Sequence, residues 1–308
     1  MACATKFVKD MIDSILHVNS KEIKDYLLYQ NDHFWVDMPK NYDLLLYKDS
    51  TKKFLFDYEE EYYNKNIASN PDHRYFKKQF SYTLDINAFR KYDLKETNKT
   101  IYCFGCSNTF GFGLADDETW PYLLSQKFNF EYTPMNYGLI GGSADTIARL
   151  VYQTVSIKKP DYVFILFPGM YRKEYITESC RVMNFNVATA NGKVHSKENS
   201  LYYDKCREEY SSYLRLSNPN ESFFNFIKNI KFIELALKDI PFIWGTTCRT
   251  LCSNKNVLSR YINISNMIDT DKLNDIPNTH ARDGEHYSYN YNECISEKFY
   301  ELFKKNTI

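Results

Sequence analysis

The chain reads as an α/β protein, a three-layer α/β/α sandwich around a parallel sheet of about five strands, preceded by an N-terminal extension. Three observations carry that expectation. From residue 99 onward, short apolar runs alternate with segments of helical period, the pattern of strand–helix–strand units. One run, DYVFILF at 161–167, is apolar almost without interruption, as in a strand covered on both faces. Residues 28–98, rich in Tyr, Asp, Lys and Asn, carry little such periodicity.

Each element follows from its residues. Phe7, Val8, Met11, Ile12, Ile15 and Leu16 recur at helical spacing and predict an amphipathic helix over 4–18. Leu44–Tyr47 and Phe80–Leu84 are short β-like runs. TIYCF (100–104) is a buried strand. A helix then runs from Trp120 to Phe130, with Asp117 or Thr119 placed to cap it and Pro121 in its first turn. Pro134–Tyr137 is a second strand ending at Gly138. Ser143 caps a helix whose apolar positions are Ile147, Leu150, Val151 and Val155. After 161–167 comes an irregular insertion near 170–220. Phe223, Phe226, Ile227, Ile230, Ile233 and Leu237 then mark one helical face. IPFIW (240–244) is a fourth strand and Asn266–Ile268 a short fifth. Ile295, Phe299, Leu302 and Phe303 belong to a terminal helix. The expected division is an extension over 1–98, packed on a main domain over 99–308.

Composition narrows the function classes. Lysine plus arginine and aspartate plus glutamate are 39 each, which argues against a general electrostatic grip on nucleic acid. The N-terminus MACATKFVKDMIDSILHVNS has scattered charges and no unbroken apolar stretch, so neither a secretory signal nor a membrane span is expected. Eight cysteines spread over 308 residues differ from a small disulfide framework, so reduced thiols and a cytoplasmic setting are the expectation. The 27 tyrosines and 22 phenylalanines, with many Asn, Lys and Ile, fit an AT-rich genome and assign no function. Tyr202, Tyr203, Tyr210 and Tyr213 of the insertion read as core residues, a sugar site being the alternative.

The stretch CFGCSNTFGFG (103–113) decides most of the chemistry. A Walker loop would end in Gly-Lys-Ser/Thr, yet Leu114 and Ala115 follow Gly113. Glycines 105, 111 and 113 do not have G-x-G-x-x-G spacing. Cys103 and Cys106 form a CxxC, but a zinc knuckle needs a second pair, and Cys248 with Cys252 has the wrong spacing and no neighbouring histidine. A thioredoxin-like pair stays open; the plainer reading makes Cys103 a small buried strand residue and Cys106 a small residue at the turn. A serine on a sharp turn after a strand is exposed and can turn its own N–H toward an oxyanion. It needs a base, and the base needs an orienting carboxylate. DGEHYS supplies both: Asp283 stands three residues before His286, and Gly284 permits the tight turn between them.

In their order, these blocks resemble the SGNH (GDSL-type) hydrolases. FGCSNTFGFGL is similar to the family's first block, with Ser107 at the nucleophile position. NYGLIGG (136–142) resembles the second, whose glycine N–H serves the oxyanion hole; Gly141 is the best match and Gly142 its neighbour. DGEHYS resembles the last, giving Asp283 and His286. TFGFGLADDETWPYLL is similar to a subgroup, found in bacteria and some phages, in which E-T-W-P follows the nucleophile turn and in which G-C-S, with Cys106 in place of the usual Asp, is a familiar variant. The resemblance covers 80–170 and 240–308 and implies a flavodoxin-like sheet. One block departs from the pattern. Where the family has G-x-N-D, this chain has LFPGMYRKEY (166–175), with Gly169 as the nearest equivalent and no asparagine to donate. Arg172 is a candidate replacement donor, or a partner of Glu174 or Glu178.

The resemblance therefore implies a serine esterase. Its triad is Ser107, His286 and Asp283, and its oxyanion hole is formed by the N–H groups of Ser107 and Gly141. It needs no cofactor and no metal, and acts on a small-molecule or carbohydrate ester. Alternatives are an O-acyltransferase using the same triad, and a weak or inactive binding or structural protein, viral if the chain belongs to a virion. A thiol protein using Cys106 or Cys103 has no supporting partner residue.

Overall fold

The computed structural model describes residues 48–176, 182–185, 218–271, 273 and 280–307. The expected helix over 4–18, the run Leu44–Tyr47 and the insertion tyrosines lie outside these residues.

The centre is a parallel four-stranded sheet. Its strands are β3 (Thr100–Gly105), β4 (Thr133–Gly138), β5 (Tyr162–Phe167) and β8 (Phe242–Thr246), in the order β4-β3-β5-β8. Registers Gly105↔Gly138, Gly105↔Leu166 and Phe167↔Thr246 bring the carboxyl ends level, so the loops that follow share one edge. The expected fifth strand is reduced to a single parallel bridge, Trp244↔Met267. The bridge is made by Trp244 N–H to Asn266 O at 2.9 Å and Ile268 N–H to Trp244 O at 2.8 Å, directly after a turn in which Met267 N–H bonds Ile264 O at 3.0 Å.

Alternation along the strands sorts side chains to the two faces, because successive residues point to opposite sides. Tyr102, Phe104, Val163, Ile165 and Phe167 pack with Ile147, Leu150 and Val151 of α4 (Ala144–Ile157) and Phe226, Ile230 and Ile233 of α5 (Pro219–Ala236). Ile101, Cys103, Phe164 and Leu166 pack with Trp120 and Leu124 of α3 (Trp120–Lys127) and Ile295 and Phe299 of α8 (Tyr289–Thr307). The result is the three-layer arrangement that the sequence implied.

The two expected caps have different outcomes. Ser143 caps α4 through its side-chain oxygen, accepting from Thr146 N–H at 3.2 Å. At α3, neither Asp117 nor Thr119 caps. Thr119 occupies the N-cap position, but its hydroxyl turns to Asp116 O and Tyr92. The Trp120 N–H is met instead by the Asn292 side chain of α8 at 3.2 Å, from 172 residues along the chain.

Two further regions bear on the site. β1 (Ser50–Lys52) pairs antiparallel with β2 (Tyr82–Leu84), and a short helix α1 (Asp57–Tyr62) lies between them in sequence. Leu55, Phe56, Tyr82 and Leu84 pack against Phe110, Phe112 and Ile140, directly behind the loops after β3 and β4. The insertion, expected to be irregular, opens instead with an antiparallel pair, β6 (Lys173–Ile176) with β7 (Val182–Phe185).

Candidate active site

At the end of β3 the chain turns at Cys106, whose backbone is extended (φ −98°, ψ −153°), and enters α2 (Ser107–Phe110). Ser107 is the first helical residue, so its N–H has no acceptor within the helix. Glycine at 138 makes this position attainable: a Cβ there would lie 2.1 Å from Phe110 N, so α2 could not settle against β4. Asn136, buried in β4, secures the contact by donating to Thr109 O at 2.9 Å and accepting from Gly138 N–H at 2.9 Å. Arg90 holds the far end of α2. Its guanidinium donates to Phe110 O, Gly111 O and Leu114 O, and pairs with Asp116 at 2.7 Å.

The second half comes from the turn before α8. Ala281 N–H bonds His286 O, and Gly284 N–H bonds Ala281 O, both at 2.9 Å. Gly284 has φ +75°, and a Cβ there would strike the Tyr62 ring at 2.1 Å. This turn sets Asp283 Oδ2 2.6 Å from His286 Nδ1, and Asp283 Oδ1 accepts the His286 N–H at 3.3 Å. His286 Nε2 lies 2.8 Å from Ser107 Oγ. Ser107, expected to be exposed on its turn, is buried, as is Asp283, whereas the imidazole is 21% exposed and open to a ligand. Phe112 meets the imidazole edge-on at 5.2 Å and 84°. Burial, followed by the charges of Asp283, Glu59 and Glu285, pushes the Tyr58 phenol up. With its carboxylate on Nδ1, the imidazole presents Nε2 to the hydroxyl, the arrangement a general base requires.

The loop after β4 carries the glycine pair. Leu139 N–H bonds Gly105 O at 3.0 Å, which ties this loop to the end of β3, just before Ser107. Gly142 N–H is committed to Leu139 O at 2.9 Å, whereas the Gly141 N–H, at φ +79°, has no such backbone bond among the described residues. Gly169 follows β5, with nothing within 4 Å of where a Cβ would stand. Arg172 does not pair with Glu174, which is held bidentately by Arg149 at 2.7 Å to each oxygen. Glu178 lies outside the described residues. The Arg172 guanidinium reaches Gly142 O at 3.4 Å and so braces the glycine loop.

Both cysteines of the CxxC are buried free thiols, and burial pushes the Cys103 thiol well up, away from the reactive thiolate. Cys252 is turned to Thr270. Among the described residues no three His, Cys, Asp or Glu side chains gather as a metal would require. No described helix is long and apolar enough to cross a membrane. Asn136, Arg90 and Arg282 escaped sequence reasoning. A buried arginine has no local signature, although Arg282 stands next to Asp283.

No family model matches the chain, and no curated protein matches it. Solved structures do. A putative lipolytic protein of the G-D-S-L family from Desulfitobacterium hafniense is similar at 15% identity and TM-score 0.41, over 67% of this chain and 99% of its own. A carbohydrate acetylesterase family member from Sinorhizobium meliloti is similar at 12% identity and TM-score 0.38, over 67% and 98%. A putative acylhydrolase from Bacteroides fragilis is similar at 13% identity and TM-score 0.37, over 69% and 91%. With identities and TM-scores this low, the case for function rests on the geometry around Ser107.

Proposed function

We propose that the protein is a serine esterase that cleaves a small acyl ester through Ser107, His286 and Asp283. The observation that carries this reading is the continuous chain from Asp283 Oδ2 to His286 Nδ1 at 2.6 Å and from His286 Nε2 to Ser107 Oγ at 2.8 Å. Ser107 Oγ attacks the acyl carbon while its proton passes to His286 Nε2. Asp283 holds the imidazole in the tautomer that can accept it and stabilises the imidazolium. The N–H groups of Ser107 and Gly141 take the oxyanion. His286 then protonates the departing alcohol. Water, activated by the same imidazole, releases the acid and restores Ser107. An O-acetyl group on a carbohydrate is the substrate class to test first, and capture of the acyl group by a second alcohol would make the protein a transferase.

One observation favours a weaker second reading, a fold retained for binding with little turnover. Among the described residues nothing lies within 4 Å of where a Gly169 Cβ would stand, the position at which the resembled family has an asparagine donor, and losing one such donor costs about 10²–10³ in rate. Labelling with a fluorophosphonate tests the esterase reading. Wild type is expected to label and Ser107→Ala to remain unlabelled, with hydrolysis of short-chain nitrophenyl esters and acetylated sugars following the same pattern. Failure of the wild type to label would sink it. Labelling that survives Ser107→Ala but not Cys106→Ser would make the cysteine the nucleophile.

A further inference from the structure

A buried ring of hydrogen bonds joins the two halves of the site through the segment that precedes the sheet. Glu59 and Arg282 are both 0% exposed and 223 residues apart. Arg282 Nε and Nη2 donate to Glu59 Oε1 at 3.0 and 2.7 Å, and Arg282 Nη1 donates to Phe80 O at 3.1 Å. The guanidinium lies 3.6 Å over the Phe80 ring. Tyr82 Oη donates to Glu59 Oε1 at 2.6 Å and accepts the Gly113 N–H at 2.9 Å. The Arg282 N–H returns to Gly113 O at 2.9 Å and closes the ring.

Both ends of this ring abut the triad. Gly113 ends the loop that leaves α2, where Gly111 and Phe112 N–H groups bond Ser107 O at 2.9 and 3.0 Å. Arg282 immediately precedes Asp283, and a Cβ on Gly113 would stand 2.7 Å from Asp283 Oδ1. Nucleophile turn and base turn therefore meet at Gly113, and that meeting is held from behind by Glu59 and Tyr82. We propose that Glu59, Tyr82 and Arg282 are positioning residues that set the Ser107–His286 distance, so that the segment around α1 and β2 forms part of the catalytic apparatus. This rests on the esterase reading above. Burial pushes the Glu59 carboxyl up, and the donors around it oppose that shift: Arg282, Tyr82 and Leu55 N–H, the last on Oε2 at 3.1 Å. Burial of this scale is costly for an ion pair, and an apolar filling of equal volume would serve stability alone as well. What the ring adds is direction: each hydrogen bond fixes one turn relative to the other.

The test compares wild type, Tyr82→Phe and Glu59→Gln by two readouts. One is the fluorophosphonate labelling rate, resolved into probe binding and covalent step. The other is the low-field proton resonance of His286 Nδ1–H, which needs no turnover. Tyr82→Phe keeps the ion pair and removes only the hydroxyl, so it remains informative should Glu59→Gln fail to fold. Expected is a covalent step slowed roughly 10- to 100-fold in either variant with probe binding within about twofold, the size of effect that a misplacement near 1 Å produces. The resonance should broaden or vanish. In an Asp283→Asn background, Tyr82→Phe should add little further loss, because it acts through the same turn. Wild-type rates and an unchanged resonance in folded Tyr82→Phe and Glu59→Gln would overturn the inference while leaving the esterase reading intact. If wild type itself does not label, the esterase reading fails and the resonance alone decides whether the ring positions His286.

Discussion

The proposed proton-transfer half of the site and the proposed oxyanion half are built in different ways. The first consists of side chains held from several directions: Asp283 by its turn, His286 by Asp283, and both turns by the buried ring through Arg282, Glu59 and Tyr82. The second consists of two backbone N–H groups on Ser107 and Gly141, braced by the Arg172 contact at 3.4 Å and open at Gly169. The difference teaches where catalytic power should be lost. A relay with several supports should lose most when one of its own groups is removed and less when a support is removed, whereas an oxyanion site with few donors limits the rate even when the relay is intact.

The largest expected effect breaks the first half outright. Ser107→Ala should lower turnover by on the order of 10⁶-fold and abolish fluorophosphonate labelling, with the thermal transition nearly unchanged. Next comes Asp283→Asn, which keeps the shape but loses the orienting charge; a fall in kcat of about 10⁴-fold is expected. A deficit under tenfold would mean that the Asp283–His286 contact does not orient the base.

The oxyanion half should respond in the opposite sense. A Cβ at Gly169 meets nothing within 4 Å, and its backbone is not in the left-handed region, so Gly169→Asn can be accommodated. If a missing donor limits the rate, this variant should gain about tenfold in kcat, a part of what such a donor is worth. No gain in a folded variant would place the limit elsewhere.

The smallest effect separates scaffold from site. Burial works against ionisation of Glu118, but hydrogen bonds from Lys78 and Arg74 outweigh it and hold the carboxyl below its ordinary value. The unfolded chain loses these partners and binds the proton at higher pH. The associated stability is therefore present above the ordinary carboxylate range and is lost as pH falls through the depressed folded value. Acid unfolding followed by circular dichroism should show a shallower loss for Glu118→Gln. Labelling at neutral pH should match the wild type; a large drop there would extend the site into the scaffold.

Legibility followed distance along the chain. β3 and β5 could be read because both faces of each strand are covered, which demands unbroken apolar runs. Ser143 could be read as a cap because its partner is three residues away. The cap of α3 could not, since Asn292 supplies it from the last helix. Asp283 and His286 were legible as a pair for the same local reason as Ser143. The commitment of Gly142 N–H to its own turn, which favours Gly141 over Gly142 as the proposed donor, was not visible.

Sequence alone determined the alternation of strands and helices, the serine turn after the first sheet strand and the Asp–His turn near the end, because periodicity, turn residues and short-range spacing are local properties. Only the tertiary structure decided that the fifth strand shrinks to one bridge, that Arg172 braces a carbonyl, and that Glu59, Tyr82 and Arg282 close behind the triad. These outcomes depend on which buried polar groups meet once the chain is compact. A buried charge must find its partner wherever the fold brings one, and no local pattern announces it.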